Sequence, residues 1–276
     1  MASPRDRRTR ARGPQWAMRI SLPACVASLA LASFAPATDA LQTRMIRHAE
    51  GAYRVVDLDL AHDRLELRWK DADGKPFAAI ESLRASGLAE GRNLLFATNA
   101  GIYDREFRPL GLHVEEGVAL RPLNTTRGNA SRGNFAIQPN GVFHVDRDGN
   151  AGVTPTIEWR RRGIDARVAT QSGPMLVVDG EVNPTFDAAS DSLKLRSGVC
   201  ARGPREVVFA VSEGPVSFHA FARLFRDDLG CRDALYLDGT LSRVWTRETG
   251  YSGAPAMVAK PYAGILAVFD RPAPGP

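Results

Sequence analysis

EVVFAVSEGPVSFHAFARLFRDDLGCRDALYLDG, residues 206–239, is the stretch on which the fold class turns. Residues 206–211 (EVVFAV) are a short apolar run of the length of a buried strand. Ser217, or the residue before it, is placed to start a helix running to about Leu229. Phe218, Phe221, Ala222, Leu224, Phe225 and Leu229 mark one broad face of it at helical spacing. Gly230 supplies the stop, and residues 234–237 (ALYL) make a second buried strand ending at Asp238-Gly239. A strand, a helix and a strand in this order favour parallel strands with a right-handed crossover.

Working outward, the chain is dominated by strands. Residues 53–60 (YRVVDLDL) and 65–69 (LELRW) alternate apolar and polar positions and read as a hairpin-like pair. Residues 77–88 carry helical spacing, and 94–98 form an apolar run ending at Asn99. Many short strands follow, punctuated by Glu116-Gly117, Pro139-Asn140-Gly141, Asp148-Gly149-Asn150 and Asp179-Gly180. Pro139-Asn140-Gly141, between 135–137 and 142–145, is a strong hairpin signal. A further strand is expected over 265–269. The expectation is an α+β fold: a single strand-rich domain over residues 41–276, with a mixed sheet and a C-terminal β-α-β unit.

The chain has 276 residues, 44% of them hydrophobic and 24% charged, which excludes a wholly disordered, collagen-like or multi-span membrane protein. Its 36 Lys+Arg against 31 Asp+Glu give a formal charge of +5. The excess is localised. Residues 1–40 hold Arg5, Arg7, Arg8, Arg10, Arg12 and Arg19 against Asp6 and Asp39. An apolar run over 20–34 (ISLPACVASLALASF) follows, then the small residues Ala35-Pro36-Ala37. This is the build of a secretory signal peptide, and Met18 begins a stretch that makes a complete leader by itself. The apolar run is shorter than the ~20 residues of a spanning helix and contains Pro23. The expectation is cleavage, no membrane span afterwards, and a periplasmic or secreted destination. Without those six arginines and two aspartates, 30 basic and 29 acidic residues remain, and no nucleic-acid partner is expected. The basic run Arg160-Arg161-Arg162 reads as a solvated loop.

Of the three cysteines, Cys25 lies in the leader. In an oxidising compartment, Cys200 and Cys231 either form a disulfide closing a loop of about 30 residues or pack as two small buried hydrophobes; the sequence supports both equally. Metal-ligand spacings such as C-x-x-C and H-E-x-x-H are absent, so no metal site is expected. G-x-S-x-G, phosphate-binding-loop and G-x-G-x-x-G motifs are absent too, which argues against the common hydrolase and nucleotide-binding classes. What remains are polar residues at the ends of apolar strands: 98–104 (TNAGIYD), 195–199 (LRSGV) with Ser212-Glu213-Gly214, and 236–240 (YLDGT). Each has a bland reading as ordinary turn chemistry.

Together they resemble the phosphodiester glycosidase family. Asn99-Ala100-Gly101-Ile102-Tyr103 is similar to its Asn-Gly-Gly-Phe-Phe element, and Ser172-Gly173-Pro174-Met175-Leu176 with Asp179-Gly180 to its Ser-Gly-Gly-Pro-x-Leu…Asp-Gly segment. Arg196-Ser197-Gly198-Val199 resembles an Arg-Thr-Ala-Ile stretch, and Glu213-Gly214 falls where the family has Asp-Gly. Residues 234–239 resemble the opening of its Leu-Asp-Gly-Gly-Gly-Ser-Ser block. The resemblance spans roughly residues 90–270 and is nearest to a bacterial exported branch. The chain departs from the pattern at Ala100, at Tyr103 and at Thr240-Leu241.

The resemblance implies hydrolysis of a sugar-1-phosphodiester at the anomeric carbon. The implied substrate is a glycan or sugar phosphate, no cofactor is implied, and a divalent cation is left open. Asp238 and Glu213 are the implied catalytic carboxylates. Arg196, with its planar fork of donors, suits the phosphate. Asn99 and Tyr103 would orient sugar hydroxyls, and Gly101 and Gly239 would let the backbone approach the substrate. For Arg196 and Asp238 the structural alternative is a buried ion pair fixing the loops. For the whole protein the alternative is a non-catalytic envelope module that binds glycans or peptidoglycan fragments.

Overall fold

The structure, a computed structural model, describes residues 41–49, 51–126, 133–239, 241–258 and 261–270; the leader, Cys25 and Thr240 lie outside the described residues. Three sheets make up the domain. The first has seven strands in the order β1 (Gln42–His48), β2 (Gly51–Asp59), β13 (Glu206–Ser212), β12 (Ser197–Ala201), β14 (Ala234–Asp238), β10 (Met175–Val178) and β11 (Glu181–Val182). In the second, five strands run in the order β16 (Gly250–Gly253), β15 (Arg243–Thr246), β4 (Leu94–Asn99), β17 (Ile265–Phe269) and β3 (Leu65–Arg68). A third orders β6 (Val118–Arg121), β5 (His113–Glu115), β9 (Ala166–Ser172), β7 (Gly141–Asp146) and β8 (Ala151–Pro155). Few helices accompany them, the first being α1 (Ile80–Ala89) on the 77–88 stretch of helical spacing, so the fold is strand-rich α+β as expected.

The deciding stretch folds as a strand, a helix and a strand, with one correction. β13 and β14 run parallel to each other, but each pairs antiparallel with β12, which lies between them. Every pairing in the sheet is therefore antiparallel, and the mixed sheet expected there never joins its two parallel strands. The helix starts where its sequence dictates. The Ser217 hydroxyl accepts from the Ala220 N–H, capping α3 (Phe218–Arg223). The last turn, over Leu224–Asp228, widens into a π-helix before Gly230, whose φ is +66°.

Two hairpins are drawn differently from expectation. β2 pairs with β1 over residues 51–57 and with β13 over 53–59, so both its edges are taken and β3 joins the second sheet instead, against β17. Residues Gly133–Ala136 wind into a 3-10 turn rather than a strand. The Asn140 side chain donates to the Phe135 carbonyl at 2.9 Å and holds that turn. The hairpin forms further on, between β7 and β8, where the Asp146 carboxylate accepts from the Asn150 N–H and Gly149 takes a φ of +80°. Glu116-Gly117 and Asp179-Gly180 do join adjacent strands, all four residues at positive φ. Arg160-Arg161-Arg162 belongs to α2 (Thr156–Arg162), not to a loop; its charges sit at the helix C-terminus, where the dipole favours them.

All three sheets contribute to one core. Phe96 of β4 and Phe143 of β7 both pack on Phe209 of β13, with ring centroids 5.0 and 5.9 Å away. A second apolar layer lies between the first sheet and α3. Within it, Cys200 of β12 is disulfide-bonded to Cys231, their Cα atoms 6.1 Å apart, which settles the two readings left open. The bond fastens the end of the helical segment to the sheet that carries it. Among the described residues no helix is long and apolar enough to cross a membrane.

Replacing both cysteines by alanine should lower unfolding free energy by about 3–4 kcal/mol, the chain-entropy term for a loop of this length. Urea unfolding of the oxidised protein against the Cys200→Ala/Cys231→Ala variant measures it, and equal midpoints would refute a stabilising role.

Candidate functional site

The ends of strands from all three sheets converge on one floor. β4 delivers Asn99, β12 begins with Ser197, β14 ends with Asp238 and β9 ends with Ser172. Short hydroxyl bonds fasten them together. Ser172 Oγ donates to the Leu237 carbonyl at 2.9 Å. Ser242 Oγ donates to the Asp238 carbonyl at 2.7 Å and lies 3.0 Å from Ser197 Oγ. Asn99 Nδ2 donates to that same Ser197 Oγ at 3.0 Å, while Asn99 Oδ1 accepts from the Arg243 N–H. The backbone at Asp238 is thus held from three directions.

Above this floor lie two hollows, about 680 and 860 Å³, that share Asn134, Asp238 and Leu241. Both lie within the ~300–1,000 Å³ range of ligand pockets. The Asp238 side chain stands at the junction. Its Oδ1 accepts from the Gly239 N–H at 2.6 Å, and it forms no ion pair among the described residues. Burial pushes its pKa up to about 6, against the smaller pull of the Gly239 N–H.

Arg196 is 1% exposed yet makes no ion pair with Asp238, so the buried-pair reading is corrected. Its Nε donates to the Val216 carbonyl at 2.8 Å and its Nη2 to the Ser192 carbonyl at 3.1 Å. The guanidinium lies 3.6 Å from the Phe218 ring centroid. Burial lowers its pKa and the neighbouring Tyr236 raises it. A cation held by dipoles and an aromatic face, with no ion-pair partner among the described residues, thus lines the first hollow together with the Asp238 carboxyl.

Tyr103 lines the second hollow beside Phe107, their rings 5.8 Å apart. Burial, then the charge of Asp238, raise its pKa, so it stays a neutral hydroxyl. Asp104 lines the same hollow, but its carboxylate is occupied. Burial alone would raise its pKa, yet bonds from the Arg108 backbone and guanidinium and the Glu106 N–H bring it below the usual range.

The structure thus brings together Asp238, Arg196, Tyr103 and Gly239 of the residues marked in the sequence. Glu213 does not join them. It lies 3.9 Å from Arg54, accepts from the Gly253 N–H, and lines neither hollow. Asn99 is 1% exposed and spends its amide on the floor, positioning rather than contacting. Gly101 answers to packing: a Cβ there would stand 2.4 Å from the Gln171 carbonyl oxygen of β9. Gly239 lines the first hollow, and its missing Cβ leaves room for the Tyr236 hydroxyl, 2.5 Å from where the Cβ would be. Asn134 and Lys194 were not singled out in the sequence, and Tyr236 was marked only as part of the 236–240 stretch. Tyr236 carried a signal, since on a strand it shares its face with Asp238, two residues on. Asn134 carried none, because the chain folds it in from a remote turn to donate to the Tyr236 hydroxyl at 3.1 Å.

The fold and site define a strand-rich α+β protein whose cleft is floored by an unpaired acid. The chain belongs to the phosphodiester glycosidase family: the model of that family matches residues 92–269. It is 32% identical over 206 residues to an uncharacterised protein, YigE, of Escherichia coli (strain K12), covering 75% of this chain and 77% of that one. Its fold is similar to the zebrafish N-acetylglucosamine-1-phosphodiester alpha-N-acetylglucosaminidase catalytic domain, solved auto-inhibited by its pro-peptide. That likeness has a TM-score of 0.57 at 14% identity, over 84% of this chain and 82% of the zebrafish domain. A hypothetical protein from Synechocystis shares the fold at TM-score 0.51 and 15% identity, over 84% of this chain and 62% of its own.

A raised carboxyl pKa means that the folded state binds a proton more tightly than the unfolded chain. Asp238 therefore costs stability as pH rises from about 4 through 6, up to ~3 kcal/mol at neutral pH. His144 opposes this: buried against Trp159, it has its pKa pushed down to about 4 by burial, so its contribution improves over the same range. Asp238→Asn removes only the first effect. It should melt with the wild type near pH 4 and above it at pH 7, and a variant that melts lower at pH 7 would assign Asp238 a structural role.

Proposed function

We propose that this chain is a hydrolase of sugar-1-phosphodiesters, cleaving the bond between the anomeric carbon and the phosphate oxygen. The observation that carries the reading is the unpaired Asp238 carboxyl at the junction of two hollows, one with the unpaired cation Arg196 and the other with an aromatic wall. A phosphate monoester is a good leaving group, so departure needs little proton donation. The work falls on the other face of the anomeric carbon, where Asp238 is the base that activates water or the nucleophile that water later displaces. Either role requires the ionised carboxylate. Arg196 stabilises negative charge accumulating on the departing phosphate, and Tyr103, neutral and able to donate or accept, orients the sugar. Family membership supports a glycan-type substrate.

A panel of aryl sugar-1-phosphodiesters tests this directly. Turnover is expected, with kcat/KM rising tenfold per pH unit towards a plateau above about pH 6. Asp238→Asn should lower it by about 10²–10⁴-fold. Saturable glycan binding without turnover would instead support an envelope binding module, and a variant keeping most of its activity would remove Asp238 from the chemistry.

We infer in addition that the protein is exported to the periplasm or secreted. The arginine-rich and apolar leader sequence supports this, as does the disulfide of the folded domain. Fusing residues 1–40 to a reporter active only outside the cytoplasm should give signal, and its absence would overturn the inference.

A further inference from the structure

The two hollows differ in charge, and one side chain in the first of them takes part in no ion pair among the described residues. Lys194 and Arg196 stand two positions apart on an extended segment. The Lys194 N–H donates to the Val216 carbonyl at 3.1 Å, and the Val216 N–H returns a bond to the Lys194 carbonyl at 2.8 Å. Residues at that spacing on extended chain point to one side, and both line the smaller, first hollow. Arg196 is locked and buried. Lys194 is exposed and has no carboxylate in ion-pair reach among the described residues. The second hollow is lined by Asp104 and Glu106, both paired with Arg108, and by the exposed Arg105, so charges of both signs meet there. Asp238 divides the two ends.

An anionic group entering this cleft meets two cations on one side of Asp238, and on the other the mixed set Asp104, Arg105 and Glu106. We propose that Lys194 is a specificity-determining residue that clasps the phosphate together with Arg196. The substrate is thereby oriented with its phosphate over the Lys194 side and its sugar over Tyr103, and phosphate-linked sugars are preferred to neutral glycosides. The proposal rests on the function inferred above and deepens it. The two cations divide the task by their surroundings. Arg196 offers a fixed charge that solvent salt barely screens, whereas Lys194 is an adjustable point charge whose contribution fades as ionic strength rises.

Phenyl phosphate, which carries the phosphate without a sugar, separates this proposal from the reaction itself. Calorimetric titration of the wild type should show binding that weakens about tenfold in Lys194→Ala, the scale of one charge-assisted hydrogen bond. Lys194→Arg should recover most of it, and the gap between wild type and Lys194→Ala should shrink in high salt. Glu106→Gln, in the opposite hollow, should change the affinity less than twofold. With an aryl sugar-1-phosphodiester, Lys194→Ala should raise KM while kcat holds. Equal phenyl phosphate affinity in wild type and Lys194→Ala, or an equal loss in Glu106→Gln, would overturn the proposal. If phenyl phosphate binds as expected but no phosphodiester is hydrolysed, the phosphate clasp stands and the hydrolytic reading fails.

Discussion

Phe209 is the point on which the architecture rests. It belongs to the first sheet, yet Phe96 of the second and Phe143 of the third both pack on its ring. Ring pairs of this kind contribute about 0.5–1.5 kcal/mol beyond the area they bury. Their larger consequence here is geometric. With three sheets clasped at one aromatic centre, β4 and the neighbours of the other two ring-bearing strands, β12 and β14 in the first sheet and β9 in the third, end near one another. The cleft floor is built from those ends, so its polar groups inherit their positions from an apolar contact.

Charge is distributed in the site against the usual habit of proteins. Most buried charges are paired, because an isolated ion loses its hydration without compensation. Here a carboxyl and a guanidinium line the same hollow and do not pair. Asp238 meets that cost through a raised pKa, and Arg196 through two backbone carbonyls and the face of Phe218. Pairing them would occupy both charges with each other. Holding them apart keeps one group able to exchange a proton and the other able to attract an anion, and the bonds of Arg196 to Val216 and Ser192 and of Asp238 to the Gly239 N–H keep them so.

The sequence made much of this legible, and its failures have physical causes. The strand-helix-strand stretch was readable because apolar runs, a serine cap and a terminating glycine all agreed. What it could not show was β12 inserting between β13 and β14, since pairing partners are chosen by contacts remote in sequence. Pro139-Asn140-Gly141 misled because the asparagine amide holds a 3-10 turn instead of occupying a hairpin turn. In the site, Asp238, Arg196 and Tyr103 were visible as polar residues at strand ends. Glu213 looked equivalent to Asp238 by the same rule. The difference is that Arg54 and the Gly253 N–H engage its carboxylate, and neither is recognisable from its neighbours in the chain.

The same distinction sorts the departures from the family's glycine-rich elements. Ala100 replaces a glycine, but its methyl group is 2% exposed and belongs to the central core, away from both hollows. Its compensation is visible at Gly264, where a second Cβ would stand 3.0 Å from that of Ala100. This departure is a matter of packing and leaves the cleft unchanged. Leu241 is different, because it lines both hollows beside Asp238 and sets an isobutyl group where a glycine would present only backbone. Whatever distinguishes this chain's substrate from those of glycine-bearing relatives is therefore to be sought at the junction narrowed by Leu241, and not in the strand that carries Asn99.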